Sequence, residues 1–234
     1  MIGNTLNFAF DDFSTGETFT TTYAGETWIG GYALWASLTR ALENGTDITD
    51  GEILRDLTLD ETREIFSGED PLPLLEDRHR ILTDLGNRLC DRLNGHFHAA
   101  FSPKSDHRSY SDGDGIIEFL TREFPGAYAD TREYGGQTVY FDKQAKLSVG
   151  MLHGRFQDSP EYTIADVDEM TIFADYLIPA LLREENVLEY SEELASAVDS
   201  KERLAEGSKM EVEIRIGTIL TGERLLDRKS TRLN

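Results

Sequence analysis

An acidic side chain stands inside an apolar segment of this sequence, the run FADYLIP at residues 173–179. Proline has no N–H and its ring crowds the carbonyl four residues earlier, so Pro179 predicts a helix kink at the turn that carries Asp175. Such a kink would aim a partly buried carboxylate, flanked by Phe173 and Tyr176, into a pocket. Burial raises the pKa of a carboxyl group and a neighbouring lysine lowers it. The segment predicts a functional role for Asp175, and the alternative is a surface aspartate on a bent core helix.

Other polar clusters are weaker candidates for chemistry. His96 and His98 have the spacing of two ligands on one strand face, but zinc catalysis normally needs three protein ligands. The loop at residues 111–119 resembles a calcium loop, yet Tyr110 and Thr121 occupy positions that require carboxylates. The sequence has no Walker A, GxGxxG or GxSxG motif. We therefore expect neither a metal nor a cofactor.

The charge of the chain narrows the class of partner. Its 234 residues include 44 Asp and Glu against 23 Lys and Arg, a net charge of −21. This surplus repels phosphate backbones, so a nucleic-acid polymer is not expected as partner. Only six basic residues are lysine, and an acidic, lysine-poor surface fits a cytoplasm at molar salt, where the screening length falls to ~3 Å. We expect a halophilic protein, with an ordinary acidic cytosolic protein as the alternative.

Signals for export or membrane insertion are not found in this sequence. Cys90 is the lone cysteine, and the longest apolar runs, such as residues 177–182, reach about six residues where a membrane span needs about 18. The N-terminal residues show no basic start followed by an apolar core. The expected location is the cytoplasm.

Amphipathic helices with clear start and stop signals make up most of the chain. They are predicted over residues 28–43, 171–184 and 191–198, after Pro73 as far as Gly95, through 116–124, and from Ser208 onward. Capping boxes are predicted at Thr49 with Glu52 and at Thr58 with Glu61. Residues 139–156 fit either a strand followed by a helix or a helix throughout. The predicted fold is mainly α, with at most a small β element near the N-terminus or over residues 137–142.

The last eight residues, DRKSTRLN at 227–234, break the acidic pattern with a net charge of +2. They look like a translated sequencing-adapter fragment, and the alternative is a short basic tail. We expect one helical domain over residues 1–226, a non-native tail over 227–234, and a native C-terminus that is missing.

Seven segments resemble, in order, the queuosine salvage protein family. They are LTRALENG (38–45), TLDETREIF (58–66), PLLEDRHRILTDLG (73–86), KQAKLSVGML (143–152), MTIFADYLIP (170–179), LEYSEEL (188–194) and EVEIRIGTI (211–219). The most specific parts are FADY followed by a proline, and the EIR phrase. Proteins of this family are queuosine 5′-phosphate N-glycosylases/hydrolases, mainly helical and similar in fold to DNA glycosylases. The resemblance is to a haloarchaeal-type member that is truncated at its C-terminus.

The resemblance implies hydrolysis of the N-glycosidic bond of a 7-deazaguanine nucleoside 5′-monophosphate, which releases queuine or a related base for tRNA modification. It places Asp175 at the catalytic aspartate, and Lys143 at a lysine that holds the phosphate or a polar group of the base. Phe173 and Tyr176 are then expected to line the base pocket. Arg215 is expected to contact a phosphate or a carboxylate, the alternative being a helix-surface ion pair. A small-molecule nucleotide is the implied partner, and the oligomeric state stays open.

Four positions depart from the family pattern, where Arg, Gln, Asp and an aromatic residue are usual. They are Leu177, Ala180, Met151 and Asp11. These departures keep a non-catalytic 7-deazaguanine nucleotide-binding protein as the alternative function. A glycosylase acting on bases in DNA is a further alternative, suggested by fold analogy alone.

Overall fold

Helices dominate the computed structural model, which describes residues 1–101, 107–159 and 162–232. The helices are α1 (Ile2–Thr5), α2 (Gly30–Glu43), α3 (Gly51–Asp56), α4 (Leu59–Ile65), α5 (Leu75–Leu93), α6 (Ile116–Glu123), α7 (Pro125–Tyr128), α8 (Lys143–Phe156), α9 (Leu177–Glu184), α10 (Glu192–Asp199) and α11 (Lys209–Arg232). The predicted mainly α class is confirmed, whereas the likeness to DNA glycosylases stays a prediction.

Three antiparallel hairpins supply the β structure of the described residues. They are β1 (Asp11–Asp12) with β2 (Glu17–Thr18), β3 (Thr20–Tyr23) with β4 (Glu26–Ile29), and β5 (Thr131–Tyr134) with β6 (Gln137–Tyr140). The third hairpin turns at Gly135 and Gly136, both with positive φ, a conformation that glycine adopts without strain. These small sheets agree with the limited β content predicted near the N-terminus and over residues 137–142.

Helix α5 lies at the centre of the main core. Its buried stripe contains Leu82, Leu85, Leu89 and Leu93, spaced so that they share one face of the helix. Gly86 lies beside α3, and a Cβ atom there would come within 2.3 Å of the Arg55 backbone nitrogen. The absence of a side chain at Gly86 therefore lets α3 and α5 pack in close contact.

Helix ends show where local sequence signals hold and where they fail. The capping box of α4 is confirmed, because the Thr58 side chain accepts from the Glu61 N–H and the Glu61 carboxylate accepts from the Thr58 N–H. The box predicted at Thr49 is wrong. The N-cap of α3 is Asp50, whose Oδ1 accepts from a backbone N–H at 2.8 Å, while the Thr49 hydroxyl donates to Asp47.

One predicted helix starts later than the periodicity indicates, and one open choice between strand and helix is decided. The helix predicted over residues 28–43 begins at Gly30, because Trp28 pairs with Thr21 in the second hairpin. Residues 139–156 take the first of the two readings left open, the end of strand β6 followed by α8.

A second, smaller core joins three parts of the chain that are distant in sequence. Its buried members are Phe141, Ala174 and Val212, and the partly buried Ile216 and Ile219 of α11 pack against them. The cluster brings the start of α8, the segment before α9 and the first turns of α11 to one place. Within the described residues, no helix is long and apolar enough to cross a membrane.

Candidate active site

Asp175 lies two residues before the first residue of α9, Leu177, rather than inside a helix. Its Oδ1 accepts hydrogen bonds from the backbone N–H groups of Leu177 and Ile178, each at 3.0 Å. The helix predicted over residues 171–184 is therefore wrong in its start, because the carboxylate itself takes up the amides that open the helix. The predicted kink is also wrong. Pro179 falls in the first turn of α9, where its missing N–H would have had no partner within the helix.

This capping arrangement divides the two carboxylate oxygens of Asp175 between two environments. Oδ1 is held by two amides, so the side chain has a fixed direction. Within the described residues, no protein group donates a hydrogen bond to Oδ2. One oxygen is thus anchored, and the other can accept a proton or face a developing positive charge.

Lys143 is the first residue of α8, and its Nζ donates to the main-chain oxygen of Asn7 at 2.8 Å. Burial lowers the pKa of Lys143, while the negative charge of Asp175 acts in the opposite direction. The two groups are therefore close enough to interact electrostatically. The structure brings together the lysine and the aspartate that the sequence singles out.

The guanidinium of Arg215 in α11 donates hydrogen bonds to protein acceptors. Its Nε donates to the Ala174 carbonyl at 3.1 Å, and its Nη1 donates to Asp130 and Glu211, each at 3.0 Å. A further bond joins Nη2 to Asp130, and the guanidinium carbon lies 3.9 Å from the Phe141 ring centroid. Burial by itself lowers the pKa of Arg215, but the two carboxylates outweigh it and raise the pKa.

The carboxylate partner expected for Arg215 is thus inside the protein. Arg215 also forms an ion pair within α11, the kind of contact considered as the alternative, with Glu211 four residues earlier at 3.0 Å, although only 12% of its side chain is exposed. Its bond to the Ala174 carbonyl holds the residue that directly precedes Asp175. The contacts favour a positioning role over the predicted contact with a substrate phosphate.

The two aromatic residues beside Asp175 point to different neighbours. The Phe173 ring lies against α8, where its Cζ is 3.6 Å from the position that a Cβ of Gly150 would occupy. Tyr176 is 44% exposed, and Asp11 lies close enough to act on its hydroxyl group electrostatically. Burial, with the charges of Asp11 and Asp175, raises the pKa of Tyr176 to about 12.

Several residues of the site carry no signal in the sequence that singles them out. Asp130 is separated from Arg215 by 85 residues, so no local spacing links them. Asn7 contributes a main-chain oxygen, which any residue type supplies. Asp11 is visible only as a departure from the family pattern.

No metal centre is found in the part of the chain that the structure describes, since no three His, Cys, Asp or Glu side chains there are placed to share an ion. His96 and His98 stack with ring centroids 5.3 Å apart, and the His96 Nδ1 lies 3.2 Å from the Thr49 carbonyl oxygen. Metal-independent chemistry stays a prediction.

The fold and the site define a mainly helical protein with a fixed carboxylate within electrostatic range of a partly buried lysine. The family model of the queuosine salvage protein matches residues 1–234. The chain belongs to the queuosine salvage protein family.

Three relatives, each named queuosine 5′-phosphate N-glycosylase/hydrolase, illustrate the similarity. The protein of Sphaerobacter thermophilus is 37% identical over 203 residues, which cover 87% of this chain and 61% of the relative. The Mus musculus protein is 31% identical over 227 residues, 96% of this chain and 65% of its own. The Bos taurus protein is 32% identical over 216 residues, which cover 92% of this chain and 62% of the relative. The chain thus spans less than two thirds of the length of these relatives.

Proposed function

We propose that this chain hydrolyses the N-glycosidic bond of a 7-deazaguanine nucleoside 5′-monophosphate and releases queuine or a related base. The observation that carries the proposal is the Asp175 carboxylate, anchored through Oδ1 on two amides of α9 and electrostatically coupled to Lys143. The names of the relatives support the reaction class and the substrate.

The proposed step needs a carboxylate at the sugar. As the bond between the sugar C1′ and the base nitrogen lengthens, its electron pair leaves with the base and positive charge develops on the sugar ring. The negative charge of Asp175 stabilises this charge, and its Oδ2 accepts a proton from the water that attacks C1′. The base takes up a proton and departs, which leaves ribose 5-phosphate as the second product.

Lys143 is proposed to bind the phosphate or a polar group of the base. An ammonium group has three donors, and one of them is used by the Asn7 carbonyl. The remaining donors are available to an anionic ligand. Because burial lowers the pKa of Lys143, its charge is less stable than that of an ordinary lysine when the site is empty, and an incoming phosphate would compensate it.

The aromatic side chains of Phe173 and Tyr176 are proposed to line the base pocket. A base stacked on an aromatic face gains roughly 1–3 kcal/mol. Both residues flank Asp175 in sequence, so the cap that fixes the carboxylate also fixes the main chain from which these rings project.

Arg215 is proposed to act as a positioning residue. Its contacts with the Ala174 carbonyl and with Asp130 tie the residue before Asp175 to the main chain that precedes strand β5. The substrate is proposed to be a free nucleotide in the cytoplasm, since the net charge of −21 disfavours long contacts with a polymer.

The test is incubation with queuosine 5′-monophosphate in low and in molar KCl, with detection of the free base by mass spectrometry. We expect base release by the wild-type chain and loss of release in the Asp175→Asn variant. Thermal stabilisation by the nucleotide without turnover would replace the enzymatic proposal with the binding protein. If the nucleotide is not cleaved and does not stabilise the chain, both the enzymatic proposal and the binding-protein alternative are refuted.

A further inference from the structure

Arg78 of α5 is a fully buried cation, with 0% relative exposure, that is surrounded by main-chain carbonyl groups. Its Nε donates to the Pro73 carbonyl at 2.9 Å, and its Nη2 donates to the Ala9 carbonyl at 2.8 Å. The carbonyls of Leu6 and Phe8 accept two further bonds. In the described part of the chain no carboxylate forms an ion pair with it. Burial of a guanidinium costs desolvation free energy unless the group is hydrogen-bonded. The hydrogen bonds to these carbonyls therefore compensate the burial of Arg78.

The guanidinium also fixes the shape of the N-terminal loop, residues 6–12. Its carbon lies 4.3 Å from the Phe8 ring centroid and 5.5 Å from that of Phe10, within the range of cation–π attraction. Between them, Ala9 has φ of +44°, a left-handed conformation that is unfavourable for residues other than glycine. The hydrogen bond from Arg78 to the Ala9 carbonyl helps to hold this conformation.

The N-terminal loop touches the candidate active site at two points. The Asn7 carbonyl, which lies between the two clamped carbonyls of Leu6 and Phe8, accepts from Lys143 Nζ at 2.8 Å. Asp11 lies close enough to Tyr176 to act on its hydroxyl group electrostatically. The Arg78 guanidinium thus holds the loop from which Asn7 and Asp11 reach the site.

We propose that Arg78 is a positioning residue, which clamps the N-terminal loop so that the Asn7 carbonyl holds Lys143 in place and Asp11 stays near Tyr176. Its importance for substrate cleavage rests on the proposed function. The coupling between Arg78 and Lys143 does not, because it can be observed in the protein without substrate.

Lys143 provides the readout for this coupling. The charged groups that face it are Asp175, Asp130 and Arg215, and burial is the largest influence and lowers its pKa. When the N-terminal loop loosens, water reaches Nζ and the effect of burial declines. A weakened clamp at Arg78 is therefore expected to raise the pKa of Lys143 toward its ordinary value.

The experiment is a pH titration of the protein labelled with ¹³C at lysine Cε, followed by NMR. The chain has six lysines, so the spectrum is simple, and the Lys143→Arg variant assigns the signal. Arg78→Lys keeps the charge, but three donors on one nitrogen cannot span carbonyls that a planar guanidinium reaches. The matched control is Arg40→Lys, because Arg40 also binds carbonyls, those of Ile65 and Ser67, away from the site.

We expect Lys143 to titrate at a higher pH in Arg78→Lys than in the wild type, and unchanged in Arg40→Lys. Phe8→Leu, which removes the ring under the guanidinium, should give a smaller shift in the same direction, and it decides the question if Arg78→Lys does not fold. An unchanged Lys143 titration in the folded variants, or an equal shift in Arg40→Lys, would overturn the proposal. If Arg78→Lys shifts the Lys143 titration but the wild-type chain releases no base, the clamp proposal stands and only the proposed function is refuted.

Discussion

Substitution of Asp175 by asparagine separates the capping role that the structure shows from the catalytic role proposed for this residue. The amide oxygen of asparagine can still accept from the Leu177 and Ile178 N–H groups, and asparagine caps helices about as well as aspartate. The negative charge and the proton acceptor are lost. A general base contributes about 10²–10⁴-fold to a rate, which corresponds to roughly 2.7–5.4 kcal/mol of activation free energy. We therefore expect turnover to fall by that factor while stability changes little.

Substitution by alanine removes both roles of Asp175 at once. Loss of an N-cap costs about 1 kcal/mol, and in a chain of this size ~1 kcal/mol lowers the melting temperature by about 2–4 °C. Asp175→Ala should therefore lose turnover and also melt a few degrees earlier. The difference between the two variants isolates the capping energy.

The assay combines base release at saturating nucleotide with a thermal melt of each variant. The control is Asp50→Ala, which removes the N-cap of α3, where Oδ1 accepts from the Glu52 N–H at 2.8 Å. It should lower the melting temperature like Asp175→Ala and leave turnover unchanged. The reasoning fails if Asp175→Asn stays within about tenfold of wild-type turnover, below the range expected of a general base. It also fails if Asp175→Asn melts as early as Asp175→Ala, since the charge would then be structural.

Three further outcomes are expected. Lys143→Gln should raise KM more than it lowers kcat. In the wild type, substrate affinity should decline as pH rises through the pKa of Lys143, because the protonated lysine is the form that binds. Burial places this pKa below the value of ~10.4 for an ordinary lysine. Initial rates as a function of pH measure KM and kcat for the wild type and for Lys143→Gln. Arg215→Gln removes the bidentate partner of the partly buried Asp130 and leaves it with Arg132 at 3.6 Å, so urea denaturation should show that the free energy of unfolding falls by about 1.5–3 kcal/mol. Molar KCl should raise the melting temperature of the wild type, since it screens the self-repulsion of a chain with net charge −21; a melt that salt leaves unchanged would contradict this.

Elements with local signals could be predicted from the sequence. The apolar stripe of α5 and the Thr58 cap of α4 depend on residues three or four positions apart, and both are found where expected. Helix starts were less predictable where an acidic side chain competes for backbone amides. Asp50 displaces Thr49 as a cap, and Asp175 delays the helix predicted from residue 171, because each carboxylate takes up N–H groups that periodicity assigns to a helix.

The candidate site could be predicted in its residues but not in its contacts. Asp175 and Lys143 stand out by composition and by family resemblance, and the structure places them within electrostatic range. The burial of Arg215 against Asp130 depends on a pairing across 85 residues, which no local pattern encodes. Whether each residue acts as proposed stays a prediction.

The sequence distances within the site have a consequence for how activity appears during folding. The contacts of Lys143 with Asn7, of Arg215 with Asp130 and of Arg215 with Ala174 close separations of 136, 85 and 41 residues. Long-range contacts form slowly, because chain closure costs entropy before the contact repays it. Helices with strong local signals, such as α4 and α5, can form well before these contacts exist. A refolding molecule can therefore recover most of its helical circular dichroism before the contacts of Lys143 and Arg215 have formed, so the geometry of the candidate site is among the last features of the native state to form.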